Sequence, residues 1–121
     1  MPGRFDAAET VRGDEAPGPI DLVHLDRATF GSRALRHEVL ALFDRQAVQL
    51  EGKIAASADV RSRAEAAHGL RGAALGIGAG AVAAAAAEIE AGPADMVAAL
   101  ARLSARVAEA RLAIGELLTK N

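Results

Sequence analysis

An all-α fold, an antiparallel up-and-down four-helix bundle with a short extra N-terminal helix, is predicted by three features of this chain. Hydrophobic residues make up 51% of it, much of that alanine, and its only aromatics are three Phe. Strands favour β-branched and aromatic side chains, so this composition suits close-packed helices better than a sheet. Apolar residues recur at steps of three and four over long stretches, and Gly, Ser, Asp or Pro separates those stretches at short intervals. Four main helices with short connections imply antiparallel neighbours.

Residues 1–19 are rich in Gly, Pro, Ala and acidic residues and lack periodicity. They are expected to be a flexible leader, with the bundle domain over residues 20–121. The segment Ile20 to Phe30 suits a short helix covering one end of the bundle. Gly31 and Ser32 then break the chain, and Ser32 is a good N-cap. The first long helix is expected from Arg33 to about Ala56, with Leu35, Val39, Leu42, Phe43, Ala47, Leu50 and Ile54 facing inward. Ser57 to Asp59 is the next break, with Asp59 as N-cap, and a helix from Val60 to about Ile77 follows.

Gly78-Ala79-Gly80 predicts a tight corner, since two glycines this close weaken a helix. The next helix spans about Ala81 to Ala91, and its alanine content gives it high propensity. Gly92 ends it, and Pro93 fits the first turn of a last helix from Ala94 to about Leu118. That helix should face inward with Val97, Leu100, Leu103, Val107, Leu112 (or Ala110), Ile114 and Leu117.

Composition excludes several function classes. The formal net charge is −2, from 14 basic and 16 acidic residues, so a nucleic-acid partner lacks the basic excess it needs. There are no cysteines, which excludes a disulfide scaffold, thiol redox chemistry and thiolate zinc sites. His24, His37 and His68 show no metal-ligand spacing, so no metal site is expected. The uncharged stretch Gly72 to Ala87 is mainly Ala and Gly and shorter than the roughly 20 apolar residues a span requires. No membrane association and no secretory signal are expected. Gly76 to Ala81 spells G-x-G-x-x-A, but it follows a helix rather than a strand, so it is no dinucleotide fingerprint.

The segment that carries chemistry surrounds His68. At the 3.6-residue period, Arg61, Ala64, Glu65, Arg71, Gly72 and Leu75 share its side of the helix. Ala66, Leu70, Ala73 and Ile77 lie opposite, so the apolar side can enter the bundle while His68 faces solvent. Neutral imidazole is a nucleophile that forms covalent intermediates. Arg71, one turn on, can bind a phosphoryl group by charge-assisted hydrogen bonds. Ala64 and Gly72 flank the ring with little bulk, and Leu75 is an exposed apolar residue that a partner can cover. Arg61 is a candidate partner contact and Glu65 a candidate hydrogen-bond partner for the imidazole, unless the two simply pair with each other. Gly72, Gly76 and Gly80 also form a four-residue ladder that can serve close helix packing. His24 and His37 lack such surroundings and are read as structural or solvated.

His68-x-Leu70-Arg71-Gly72-Ala73-Ala74 followed by Ile77-Gly78-Ala79 resembles the signature of the histidine phosphotransfer (HPt) family. That signature reads roughly His-x-Leu-Lys-Gly-Ser/Ala-Ser/Ala, then an apolar residue, Gly and a small or apolar residue. The resemblance implies that His68 is phosphorylated on its distal ring nitrogen. It puts Arg71 at the family's basic position, Gly72 at its access glycine and Gly78 at the glycine that ends or bends the helix. Arg in place of the commoner Lys, and Gly69 directly after the histidine, depart from the usual pattern. The resemblance further implies a cytoplasmic, monomeric phosphocarrier without an ATP site or a bound cofactor. It would exchange phosphoryl groups with receiver domains of response regulators or hybrid histidine kinases, which supply the aspartate and Mg2+. The alternatives are an HPt-like docking module that carries no phosphate, and a helical adaptor or dimerisation protein in which His68 is dispensable.

Overall fold

The computed structural model describes residues 18–120 and is all-helical. Among the described residues there are five helices and no strand: α1 (Leu22–Ala28), α2 (Arg33–Ala56), α3 (Val60–Ile77), α4 (Gly80–Glu90) and α5 (Met96–Thr119). The expected leader lies outside the described residues except for Gly18 and Pro19. No described helix is long and apolar enough to cross a membrane.

Four of the five described helices start on a side-chain cap, and α4, which follows Ala79, does not. Ser32 accepts from the Leu35 N–H at 3.1 Å, and Asp95 accepts from the Ala98 N–H at 3.0 Å. Asp59 accepts from the Ser62 N–H at 2.7 Å and from its hydroxyl at 3.0 Å. Each acceptor satisfies a first-turn donor that the helix itself leaves unpaired. The Ser62 backbone hydrogen bond, then its hydroxyl, hold the Asp59 carboxyl below the ordinary aspartate range. A depressed folded-state pKa stabilises the fold above the unfolded value and loses that effect as pH falls through the folded one. The stability difference between wild type and Asp59→Ala is therefore expected to be constant near neutrality and to shrink below about pH 4. Denaturant midpoints over a pH series measure it.

Pro93 is not in the first turn of α5, as the sequence suggested. Gly92 takes φ +79° and Asp95 caps a helix that opens at Met96, so Pro93 lies in the connection. At the α2–α3 connection, Arg63 reaches back to the end of α2. Its guanidinium donates to the Ser57 carbonyl at 2.6 Å and the Ile54 carbonyl at 3.2 Å, satisfying acceptors at a helix terminus.

Helix α3 packs on α4 and α2, and α5 packs on α4 and α2, while α1 leans on α3. One core runs through all five, with Leu25, Leu40, Phe43, Ile54, Leu70, Val82, Ile89, Leu103 and Ile114 essentially buried. Alanines supply much of the rest: Ala83, Ala85 and Ala86 of α4 and Ala67 and Ala74 of α3 are buried. Two expected core positions are corrected: Leu42 and Val97 are exposed, and Leu40 and Ala99 are buried in their helices instead, while of the alternatives Leu112 and Ala110 it is Ala110 that is buried. Two surface pairs tie α5 to its neighbours, Arg111 with Asp44 and Arg102 with Glu88. Hydrogen bonds from Arg102 hold the Glu88 carboxyl below its usual range, and those to Asp44 raise Arg111 further. Exposed pairs of this kind add little stability.

The Gly78 corner organises the end of the molecule. Gly78 caps α3 in the left-handed region at φ +82°, and the Ala79 N–H returns to the Ala74 carbonyl at 2.8 Å. The Asp21 N–H donates to the Gly78 carbonyl at 2.8 Å, and Asp21 also caps α1. His24 Nε2–H donates to the Gly76 carbonyl at 3.3 Å, which gives this histidine a structural contact. The chain thus uses one glycine to turn α3 into α4 and to seat α1.

Candidate functional site

His68 lies in the middle of α3 with its side chain 63% exposed. The buried residues of this helix, Ala67, Leu70, Ala74 and Ile77, take the apolar side of the helix and leave the imidazole outward. His68 points outward as the helical period implied, but the buried side is turned by one residue: Ala67 and Ala74 are buried, whereas Ala66 and Ala73 are only partly so.

The imidazole is held by a residue that sequence reasoning missed. His68 Nδ1 is 2.8 Å from Glu90 Oε2, at the last position of α4. An ionised carboxylate can only accept, so Nδ1 carries a hydrogen, and in the neutral ring the lone pair is then on Nε2. The other oxygen, Glu90 Oε1, is out of reach of solvent and 3.5 Å from Arg71 Nε, an ion-pair distance without hydrogen-bond geometry. Glu90 is 29% exposed at its side chain, so its charge is less screened than that of a fully solvated acid. Of the two roles open to Glu65, the structure shows the pair with Arg61, whose Nε lies 3.3 Å from its carboxylate. A signal for Glu90 did exist. His68 and Glu90 stand eleven residues before and after Ala79, the centre of the corner, so a helical hairpin bends them toward each other.

The other predicted site residues are placed on α3 and at its end. Arg71 is half-buried beside Glu90. Ala64 lines a shallow depression with Arg61, Glu65, His68 and Glu90. Leu75 is 54% exposed and uncovered by any described segment. Gly78 is at the corner, apart from the ring. Among the described residues, no group of three or more His, Cys, Asp or Glu side chains is placed to hold a metal ion.

Gly72 is exposed one turn after His68, and a Cβ added there would meet nothing within 4 Å. Gly76 and Gly80 have the same open surroundings. The glycine ladder therefore does not serve close packing within the chain. A mid-helix glycine costs about 0.5–1 kcal/mol relative to alanine, so Gly72→Ala is expected to raise stability by about that amount. Chemical denaturation checks this, and any loss of activity in that variant then reports on an approaching molecule rather than on folding.

Chemically, a neutral His68 ring with its hydrogen on Nδ1 presents a nucleophilic Nε2, with the Arg71 cation near by and open space at Gly72. Comparison of the chain with family models, with curated proteins and with solved structures finds no match in any of the three.

Proposed function

We propose that this chain is a histidine phosphotransfer protein that accepts a phosphoryl group on His68 Nε2 and passes it on. The observation that carries the reading is the 2.8 Å contact between His68 Nδ1 and Glu90, which leaves Nε2 as the exposed nucleophile. The open flank at Gly72 and the adjacent Arg71 support it, as does the resemblance of residues 68–79 to the family signature. In this reading the five helices form an up-and-down antiparallel four-helix bundle, α2 to α5, with α1 as the extra N-terminal helix.

The donor is the aspartyl phosphate of a receiver domain in a response regulator or hybrid histidine kinase. Nε2 attacks phosphorus in line as the bond to the aspartate oxygen breaks, and the aspartate leaves as a carboxylate. The ring retains its Nδ1–H and becomes cationic as the P–N bond forms. Glu90 faces that developing charge directly, and Arg71 offers its guanidinium to the transferred oxygens. Transfer to a second receiver reverses these steps, with neutral imidazole as the leaving group. Mg2+ belongs to the partner's site, and this chain supplies position and electrostatics. Ala64, Gly72 and Leu75 form the surface that a receiver covers. The protein acts as a cytoplasmic monomer, binding neither nucleic acid nor membrane.

The test is transfer from a panel of phosphorylated receiver domains encoded in the same genome to wild type and His68→Ala. Acid-labile, base-stable label on wild type and none on the variant is expected. A folded chain that binds receivers but takes label from none would favour the docking-module alternative.

A further inference from the structure

The α1, α2 and α5 helices enclose a second polar feature that the phosphotransfer reading does not use. A cavity of about 340 Å3 opens between them and shares no lining residue with the depression beside His68. Arg33, Arg36 and His37 of α2 line one side, and Lys120, just after α5, lines another. Leu22 and Leu117 supply apolar wall. Among the described lining residues the one acid is Asp26, whose carboxylate lies 3.8 Å from Arg36. Among the described residues, Arg33 and Lys120 enter no ion pair; Glu116, one turn before Lys120, lines the neighbouring groove.

Among the described lining residues, three cations, Arg33, Arg36 and Lys120, thus stand against one carboxylate in a chain whose net charge is −2. Arg33 and Arg36 also stand in the first turn of α2, where positive side chains oppose the helix dipole. Both effects raise the local positive potential, and an anion in the cavity would offset both. Guanidinium groups match the planar or tetrahedral oxygens of carboxylate and phosphate, and Lys adds a mobile point charge. The volume exceeds that of a single phosphate and falls at the lower end of small-molecule sites. We infer that this cavity binds a small multivalent oxyanion, held by Arg33, Arg36 and Lys120 against the Leu22–Leu117 wall. The site is independent of phosphoryl transfer at His68.

Calorimetric titration of the full chain with pyrophosphate and, separately, with citrate tests this and separates phosphate from carboxylate ligands. Saturable one-to-one binding of at least one probe is expected. The double variant Arg33→Gln/Arg36→Gln should weaken it by roughly tenfold or more, since charge-assisted hydrogen bonds are lost. Arg45→Gln, an exposed arginine further along α2, and Arg71→Gln beside His68 should leave affinity within about twofold of wild type, as distant sites act independently. Circular dichroism of each variant verifies that helix content is retained. Absence of saturable binding by both probes overturns the inference. So does equal loss in the Arg45 variant, which indicates general charge attraction, or loss confined to the Arg71 variant, which locates the anion at His68.

Discussion

Glu90→Gln is expected to slow phosphoryl uptake by His68 by roughly 10–100-fold, a range taken from carboxylates that orient metal-ligating histidines. The wild-type carboxylate can only accept from Nδ1–H, so it selects the tautomer with a free Nε2. A glutamine amide can present its NH2 group to Nδ1 instead, which favours the hydrogen on Nε2 and blocks the nucleophile. It also removes the negative charge that faces the ring as the ring becomes cationic. Glu90 is at the end of α4 and 29% exposed, so the substitution should not disturb the core. Single-turnover transfer from a phosphorylated receiver measures the rate, and calorimetry measures receiver affinity, which should stay unchanged. Nitrogen-15 spectra of the histidine rings provide the readout that a merely structural role would not move: wild-type His68 should show the Nδ1–H tautomer, and the variant a mixture. An unaltered rate together with an unaltered tautomer would remove Glu90 from the mechanism.

Gly78→Ala should destabilise the fold by about 2–5 kcal/mol, adding the left-handed backbone cost for an L-residue to the cost of overpacking. At φ +82° a side chain is strained whatever the space, and here the space is also taken. An added Cβ would lie 2.9 Å from the Asp21 carbonyl oxygen, a backbone atom, and 3.2–3.3 Å from the Asp21 and His24 Cβ atoms. Relief requires α1 to move off the corner, which breaks the 2.8 Å hydrogen bond from Asp21 to Gly78. Gly76→Ala, two residues earlier, is the control: its Cβ meets open space, so it should be neutral or stabilising. Urea denaturation of the pair should give shifts of opposite sign or widely different size. Equal midpoints would show that the corner tolerates a side chain.

Local signals predicted the helix boundaries well because the atoms that set them are local. Ser32 and Asp59 cap helices within three residues of themselves, and Gly78 turns the chain at its own φ. The outward direction of His68 was legible for the same reason: it depends on the helical period alone. Core composition was less legible. In α5 the larger Val97 and Leu112 are exposed, whereas Ala99 and Ala110 are buried. Where helices pack closely a small side chain fills the interface, so ranking positions by hydrophobic size selects the wrong neighbours. In α2 two rows compete, one through Leu35, Val39 and Leu42 and one through Leu40, Phe43 and Ala47, and only packing against α3 and α5 decides between them. Glu90 was missed because its partner is on another helix. Nearest-turn reasoning pointed to Glu65, which satisfies its charge with Arg61. Arg63 at the α2–α3 connection escaped for a similar reason, since its acceptors are carbonyls at the end of the preceding helix.

The most direct test of the account is to locate the phosphoryl group itself. The chain, labelled with nitrogen-15 in its three histidines, is phosphorylated by a receiver that serves as donor, and the ring nitrogens are observed before and after. The account predicts that only His68 changes, that phosphorus couples to Nε2, and that the Nδ1 hydrogen bond to Glu90 persists in the product. Coupling to Nδ1 of His68, or phosphorylation of His24, His37 or an aspartate, would contradict it.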